Sequence, residues 1–299
     1  MGCPCEIGVF SRDPDLANLA IAEAEREVRR LNRKYSHYNA DSDISRLERL
    51  ASRPGGAEAD TETSALLDYA ARQFQISDGL FDVTSGYLTR MWRQRDALPS
   101  PAELESALEL TGWEKLEWTG TNLTIPAGMR LELGGLVKEY AADRAGLLIK
   151  RRKLNSSFVE LGGDIHVNGP RPDGSPWHMG IREPEYHGKD KQVAMAAIPL
   201  FSGGLASSGD YERSYRIDGK RYGHIINPQT GFPVESFQSV SVLAPSCLLA
   251  GSMSTLAMLK GVKPGLELLK DSGLAWLVRT PDGVILTDSD IRDRPGQAV

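Results

Sequence analysis

The sequence predicts an α+β fold, a mostly antiparallel sheet with helices packed on it. Three observations lead there. Strand and helix patterns do not alternate strictly, as a parallel α/β sheet would require. Short glycine-containing turns join neighbouring strand patterns, Asp218-Gly219 being the clearest, and such turns make antiparallel hairpins. Two long stretches, Asp15–Lys34 and Thr61–Ser77, repeat their apolar residues at helical spacing. No repeat and no low-complexity segment is visible, and glycine-rich segments occur throughout. Residues 1–299 therefore read as a single domain whose site collects from the whole chain, with a tail that frays after about residue 290.

The elements follow in order. Residues 2–10 read as a short strand. Asp13 is the N-cap and Pro14 the first residue of a helix whose core side is Leu16, Leu19, Ala20, Ala24, Val28 and Leu31. Its charges, including Glu27 and Arg30, read as a solvated face. The polar loop YSHYNADSDISRL carries Tyr38, and either Asp41 or Ser42 caps a short helix over Asp43–Leu50. A Pro/Gly-rich connector leads to the Thr61–Ser77 helix. In DGLFDVTSGYLTRMW, Asp82 sits between Phe81 and Val83. A carboxylate in apolar surroundings needs partners, so it is either a helix cap or a ligand acceptor. Ser100-Pro101-Ala102-Glu103 is a capping box for a helix to about Leu110, and short strands follow near Lys115–Trp118 and Leu123–Ile125.

LELGGLVKEYAADR, from Leu131, reads as a strand over Leu131–Leu133, a tight Gly134-Gly135 turn and a helix over Val137–Lys150. A Gly-Gly turn entering a helix offers N–H groups and the positive dipole end to an anion, and Lys138 falls in the first turn. FVELGGDI repeats the theme as a strand entering Gly-Gly-Asp164. Strands are expected at His178–Ile181, Gln192–Leu200, Phe201–Ala206 and Ser239–Leu243, helices at Ser246–Leu259 and Lys263–Asp271, and a last hairpin at Ala275–Arg279 and Val284–Thr287.

Composition narrows the function classes. A net charge of −5 gives no electrostatic reason to expect nucleic acid, and no apolar run approaches the length of a membrane span. MGCPCEIGVF has neither a basic leader nor a long apolar run, so the expected address is cytoplasmic. Cys3, Cys5 and Cys247 are too few for a disulfide framework, and Cys3-Pro4-Cys5 reads as two small residues in the first strand.

The most informative stretch is Ser207–Gly231, SSGDYERSYRIDGKRYGHIINPQTG. Gly209 can take φ > 0 and bring backbone close to a ligand. A hairpin follows: Tyr211–Ile217 out, Asp218-Gly219 as the turn, Arg221–Ile226 back, with His224 on the returning strand. A lone histidine at such a place is either a satisfied structural residue or a titratable catalytic group.

SGDYER, a DG dipeptide and RYxHIINPxTGxP together resemble the signature of the FAD:protein FMN transferase (ApbE) family. YNADSDISRL, GLFDVTSGYLTRMW, LELGGLVKEYAADRA and VELGGDIHVNG resemble further segments of that family in the same order. The resemblance covers most of the chain. It implies an enzyme that binds FAD, uses Mg²⁺, and transfers FMN to a Thr or Ser of a partner protein with release of AMP. It also implies, alternatively, hydrolysis of FAD to FMN and AMP. Carried over by motif, Met1, Tyr38, Leu80, Phe81, Asp82, Glu132, Lys138 and Ile226 would contact FAD. Gly135 and Thr255 would serve the metal, Lys138 would lie near the phosphates, and His224 would be the base. The chain shows no acceptor motif of the D-x-x-[ST]-G-A-T type, so its acceptor would be another protein.

Three positions depart from the family pattern. Gly251 stands where A-D-A-x-[AS]-T has the Asp metal ligand, which raises a third reading, a flavin-binding protein without metal-assisted catalysis. Glu139 replaces the glycine after Lys138, and it either neutralises Lys138 or makes up for the missing Asp. Tyr87 replaces a proline, a local adjustment.

Overall fold

A computed structural model describes residues 2–93, 95, 97–184, 194–210 and 214–288. Strand β1 (Cys5–Val9) leads to helix α1 (Pro14–Lys34), then α2 (Asp43–Ala51), β2 (Ala57–Glu58), α3 (Thr61–Ile76), α4 (Gly86–Trp92) and α5 (Pro101–Glu109). Next come β3 (Glu117–Trp118), β4 (Asn122–Thr124), α6 (Gly134–Arg151), β5 (Ser157–Leu161), β6 (Asp164–Val167), β7 (Trp177–Arg182), β8 (Ala194–Leu200) and β9 (Gly203–Gly209). The chain closes with β10 (Ser214–Ile217), β11 (Lys220–Gly223), β12 (Ser239–Ala244), α7 (Cys247–Lys260), α8 (Val262–Asp271), β13 (Ala275–Arg279) and β14 (Ile285–Thr287).

Among the described residues a seven-stranded sheet runs β1-β5-β6-β9-β12-β13-β14, every pairing antiparallel. That is the expected α+β class. Helix α7 lies on β9 and β12, with α6 beside it over β5 and β6. Helices α1 and α8 pack on the far sides of α6 and α7. Helix α7 is thus covered on several sides, which is why its sequence lacks a polar stripe and buries Ala250, Gly251, Ser252, Ser254, Leu256 and Ala257 together.

Local side-chain chemistry starts these helices as read. The Asp13 carboxylate accepts from the N–H groups of Asp15 and Leu16, Ser42 rather than Asp41 caps α2, and Ser100 and Glu103 form the reciprocal box. Helix α7 has a cap from outside its own segment: the Asp143 carboxylate, on α6, accepts from Cys247 N at 2.8 Å and Leu248 N at 2.9 Å, and faces His166 Nδ1 on β6 at 2.6 Å. One side chain thereby ties α6, α7 and the sheet. Cys5 lies in β1 and Cys3 just before it; both are free thiols, as is Cys247.

Several expectations are corrected. Leu19 is exposed, so the apolar stripe of α1 is narrower than read. Glu27 and Arg30 do not face open solvent. Arg30 binds both Glu27 and Glu62 of α3, and Lys34 binds Glu62 and Asp60. Leu131–Leu133 is not a strand; only Arg130 bridges, to Ser85. Gly134 and Gly135 do not make a preceding turn but are the first residues of α6, because Leu133 C=O already accepts from Leu136 N and Val137 N. Lys138 is therefore in the second turn. Gly162-Gly163 (φ 63° and 90°) is the two-residue turn between β5 and β6. Gly209 has no positive φ and ends β9 as extended backbone. The hairpin turn Asp218-Gly219 has φ 50° and 77° as the type I′ reading requires, but β11 ends at Gly223, so His224 follows the strand rather than lying in it. Gln192, residues 211–213 and the tail from 289 lie outside the described residues.

The cluster joining α1 to α3 gives a pH prediction. Burial raises the Glu62 pKa, but hydrogen bonds from Arg30 and Lys34 outweigh it and hold the group at about 2. A carboxyl depressed on folding contributes stability above its unfolded pKa, here 4.5, and loses it as pH falls towards 2. Thermal melts should therefore show a steeper fall in Tm between pH 4.5 and 2 for the native chain than for Glu62→Gln. Parallel curves would remove Glu62 from the acid response.

Candidate active site

The site is organised around the start of α6. Glu48, 4 % exposed, anchors the approach: its carboxylate accepts from Leu131 N at 2.7 Å and from Arg130 Nη1 at 3.0 Å. This fixes the loop that turns into α6. Glu132 then accepts from Gly134 N at 2.9 Å, occupying part of the helix's positive end. Its other neighbours are His37 Nδ1 at 3.6 Å and Arg93 Nη2 at 3.5 Å. Arg93 lies 4.6 Å over the Tyr38 ring and donates to His37 Nε2 at 2.9 Å. Burial lowers the His37 pKa, which suits a neutral ring with an accepting Nε2. Tyr38 and Glu132, distant in sequence, are thus joined through His37 and Arg93. The Tyr38 ring is 75 % exposed, an apolar face offered to solvent at the mouth of this corner. Nothing in the spacing of the sequence pointed to His37, Arg93 or Glu48, because their partners are far along the chain.

The next turn of α6 carries Lys138 and Glu139. Lys138 Nζ is 2.6 Å from Asp164 Oδ2, and Asp164 Oδ1 accepts from Ser207 N at 3.2 Å. The anionic partner that Lys138 needs is therefore supplied by the first residue of β6, just past the Gly162-Gly163 turn. Glu139 is 7 % exposed and its Oε2 has no hydrogen-bond partner. Burial first, and the adjacent Asp164 carboxylate second, push its carboxyl up to about 8. Its methylene chain fills the space beside Gly251 on α7: a Cβ at 251 would stand 2.5 Å from Glu139 Cγ. Thr255 lies one helical turn after Gly251, on the same face. Its hydroxyl is 3.1 Å from Ser208 Oγ on β9, which also meets Ser254 Oγ at 2.9 Å.

The loop before α4 closes the other side. Phe81 packs against Gly135, whose Cβ position is 3.7 Å from the ring. Leu80 packs against the same core. Asp82 has both oxygens in use: Oδ1 accepts from Thr84 N and Oγ1 at 2.8 and 2.7 Å, and Oδ2 from Trp113 N at 3.0 Å. Asp82 is not the helix cap that one reading expected, since the N-cap of α4 is Ser85, with no side-chain cap. It ties its own turn to the segment after α5, leaving the backbone of this loop as what it can show a ligand. Ile226 likewise turns its side chain inward, into a cluster with Leu88, Trp92 and Ile217.

His224 follows the β10–β11 hairpin. Gly223 packs on Asp210 and Arg221 Nη2 donates to Asp210 Oδ2 at 2.8 Å, which holds the hairpin at the end of β9, two residues past Ser208. His224 Nδ1 is buried. Met1 lies outside the described residues. Of the expected residues, Tyr38 and Glu132 are linked through His37 and Arg93, Phe81 packs on Gly135, Lys138 binds Asp164 after the β5–β6 turn, and Thr255 on α7 meets Ser208 of β9, while Asp82 and Ile226 turn their side chains elsewhere.

A pocket of about 520 Å³ opens on the far side of the 78–82 loop, lined by Phe74, Asp78, Asp82, Glu114 and Gln229 among others. Of the expected residues only Asp82 borders it, and its acids would repel a phosphate. Lys138 stands at α6 instead, and the candidate site is drawn there.

Comparison with known proteins gives the family and the fold. A family model described as the ApbE family matches residues 1–278. The FAD:protein FMN transferase of Vibrio cholerae is 31 % identical over 286 residues, covering 92 % of this chain and 84 % of that protein. The one of Treponema pallidum is 30 % identical over 317 residues, covering 98 % and 86 %. Among solved structures, the ApbE protein of Thermotoga maritima superposes with a TM-score of 0.86 at 28 % identity, over 98 % of this chain and 97 % of that one. The flavin transferase ApbE from Vibrio cholerae superposes with a TM-score of 0.82 at 28 % identity, over 97 % and 95 %.

Proposed function

The chain belongs to the ApbE family, and from that premise we propose that it is an FAD:protein FMN transferase, moving FMN from FAD to a Thr or Ser hydroxyl of a partner protein. The observation that supports this reading is the packing of α6 on α7 and the β5–β6 turn, where Lys138 meets the buried Asp164, Glu139 has an unpartnered buried oxygen beside Gly251, and Thr255 follows one helical turn later. A diphosphate needs positive charge, which Lys138 offers from the second turn of α6. An isoalloxazine or adenine ring needs a flat apolar face, which Tyr38 offers.

In the transfer, the acceptor oxygen attacks the phosphorus of the FMN half, the bond from that phosphorus to the AMP oxygen breaks, and AMP leaves. Lys138 holds the diphosphate and offsets charge as that bond breaks. His224 takes the proton from the attacking hydroxyl. Glu48 and Glu132 hold the loop and helix start so that these groups keep their places.

The family also implies Mg²⁺, and the residues fit it. No group of three or more His, Cys, Asp or Glu forms a metal cluster among the described residues, so a cation here would draw on mixed oxygen donors. Glu139 has an unpartnered buried oxygen, and Asp164, Thr255 and the Gly135 carbonyl add further hard donors, the set that Mg²⁺ prefers. Bound there, the ion would neutralise charge building on the diphosphate.

The test is product analysis with FAD, Mg²⁺ and a peptide carrying D-x-x-[ST]-G-A-T. AMP together with a flavinylated peptide is the expected result. AMP with free FMN and unmodified peptide would make the chain an FAD hydrolase. FAD bound and unchanged would make it a flavin-binding protein.

A further inference from the structure

We propose that Glu139 is a direct ligand of a divalent cation in this chain, its carboxylate reaching from α6 into the space that Gly251 leaves open on α7. The proposal rests on the FMN-transfer reading only for what the cation would serve, the diphosphate of FAD.

Glu139 is more than nine-tenths buried, and its Oε2 has no hydrogen-bond partner. A buried carboxylate oxygen without a partner costs more than a neutral one and is rarely left so. The neighbouring acid, Asp164, is 2 % exposed and lies close enough to interact directly with the Glu139 carboxylate. Lys138 supplies one positive charge, and it sits on Asp164 Oδ2 at 2.6 Å. With both carboxyls ionised, the single Lys138 ammonium would offset only one of the two charges, and the open oxygen is on Glu139.

Sterics say why the carboxylate comes from α6. A Cβ at Gly251 would stand 2.5 Å from Glu139 Cγ, so the Glu139 side chain would have to shift, and 3.1 Å from its Cδ, a tight contact. As Glu139 stands, its methylene chain occupies the place that a side chain at 251 would take. Helical side chains tilt towards the N-terminus, so Glu139 leans over the turn that holds Gly135. Thr255 stands one turn after Gly251. Glu139 thus stands one turn after Gly135 on α6 and against Gly251, one turn before Thr255 on α7, so the two departures at 139 and 251 become one exchange of a carboxylate between facing helices.

Mn²⁺ binding followed by electron paramagnetic resonance, with and without ADP as an unreactive diphosphate, tests this without turnover. Glu139→Gln keeps the shape and removes the charge. It should weaken Mn²⁺ binding at least tenfold at unchanged circular dichroism. Gly251→Asp alone should lower the Tm through the clash. The double variant Glu139→Gly/Gly251→Asp carries the carboxylate across the gap and should bind Mn²⁺ within about threefold of the native chain. Three results would overturn the assignment: no Mn²⁺ binding by the native chain even with ADP, native-like binding by Glu139→Gln, or a folded double variant that does not bind. The two readings fail separately. Glu139-dependent Mn²⁺ binding without AMP release from FAD removes the transferase reading and keeps this one. Metal-dependent AMP release indifferent to Glu139→Gln does the reverse.

Discussion

His224→Ala is expected to lower the rate of AMP release by two to four orders of magnitude while FAD binding stays within a few-fold of native. General-base catalysis contributes about 10²–10⁴ to an enzyme rate, and an imidazole acts on the proton leaving the acceptor rather than on FAD itself. The loss should therefore fall on kcat, with little change in the KM for FAD. The competing role is structural, since His224 Nδ1 is buried where the hairpin meets β9. The two roles separate cleanly. A structural histidine would give a lower Tm and a proportionate loss of FAD affinity, and His224→Gln, which retains side-chain hydrogen bonding, would recover much of both. A base would leave Tm and affinity nearly untouched, and glutamine would not restore turnover. A decrease of less than tenfold in AMP release by a folded His224→Ala protein would remove His224 from the reaction.

What could be read in the sequence was what is written within a few residues. The caps at Asp13, Ser42 and Ser100 and the I′ turn at Asp218-Gly219 each depend on hydrogen bonds or backbone dihedrals spanning about four positions, and they hold in the structure. The reading failed where the partner is distant. Gly134-Gly135 looked like a turn because two glycines usually break a helix. Here glycine serves a different need: a Cβ at 134 would strike Glu132 Oε1 at 2.5 Å, so the residue leaves room for a carboxylate that caps its own helix. Asp82 and Ile226 were recognisable as motif positions, but whether their side chains face a ligand or the interior is decided by Trp113, Leu88 and Trp92, which no local pattern links to them. Glu139 and Gly251 stood out individually as departures. Only the packing of α6 on α7 makes them a pair.

The same packing implies that Gly204→Ala will be among the most damaging single-methyl changes in the chain, lowering stability by about 3 kcal/mol or more. Gly204 lies in β9 opposite Ala244, directly under the start of α7. A Cβ there would stand 2.2 Å from Cys247 N, 2.4 Å from Cys247 Cα and 2.4 Å from Ser246 C. All three are backbone atoms, so no rotamer change relieves the contact; strand and helix must move apart. The Asp143 carboxylate pins that helix start from the other side by accepting from Cys247 N and Leu248 N, which leaves it little freedom to retreat. For a chain of this size the corresponding fall in Tm is about 6 °C or more. Gly180→Ala is the control. It too lies in a strand, but its Cβ would meet only the Ala194 Cβ at 3.6 Å, an ordinary contact, and its Tm should stay close to native. The effect should also reach the site, because β9 presents Ser207 and Ser208 and α7 presents Gly251 and Thr255 across this one interface. Lifting α7 from β9 separates Thr255 from Ser208 and opens the gap that Glu139 fills, so any folded Gly204→Ala protein should bind Mn²⁺ more weakly than native. Equal melting temperatures for Gly204→Ala and Gly180→Ala would show that α7 does not seat on β9 as closely as described, and the placement of Thr255 would fall with it.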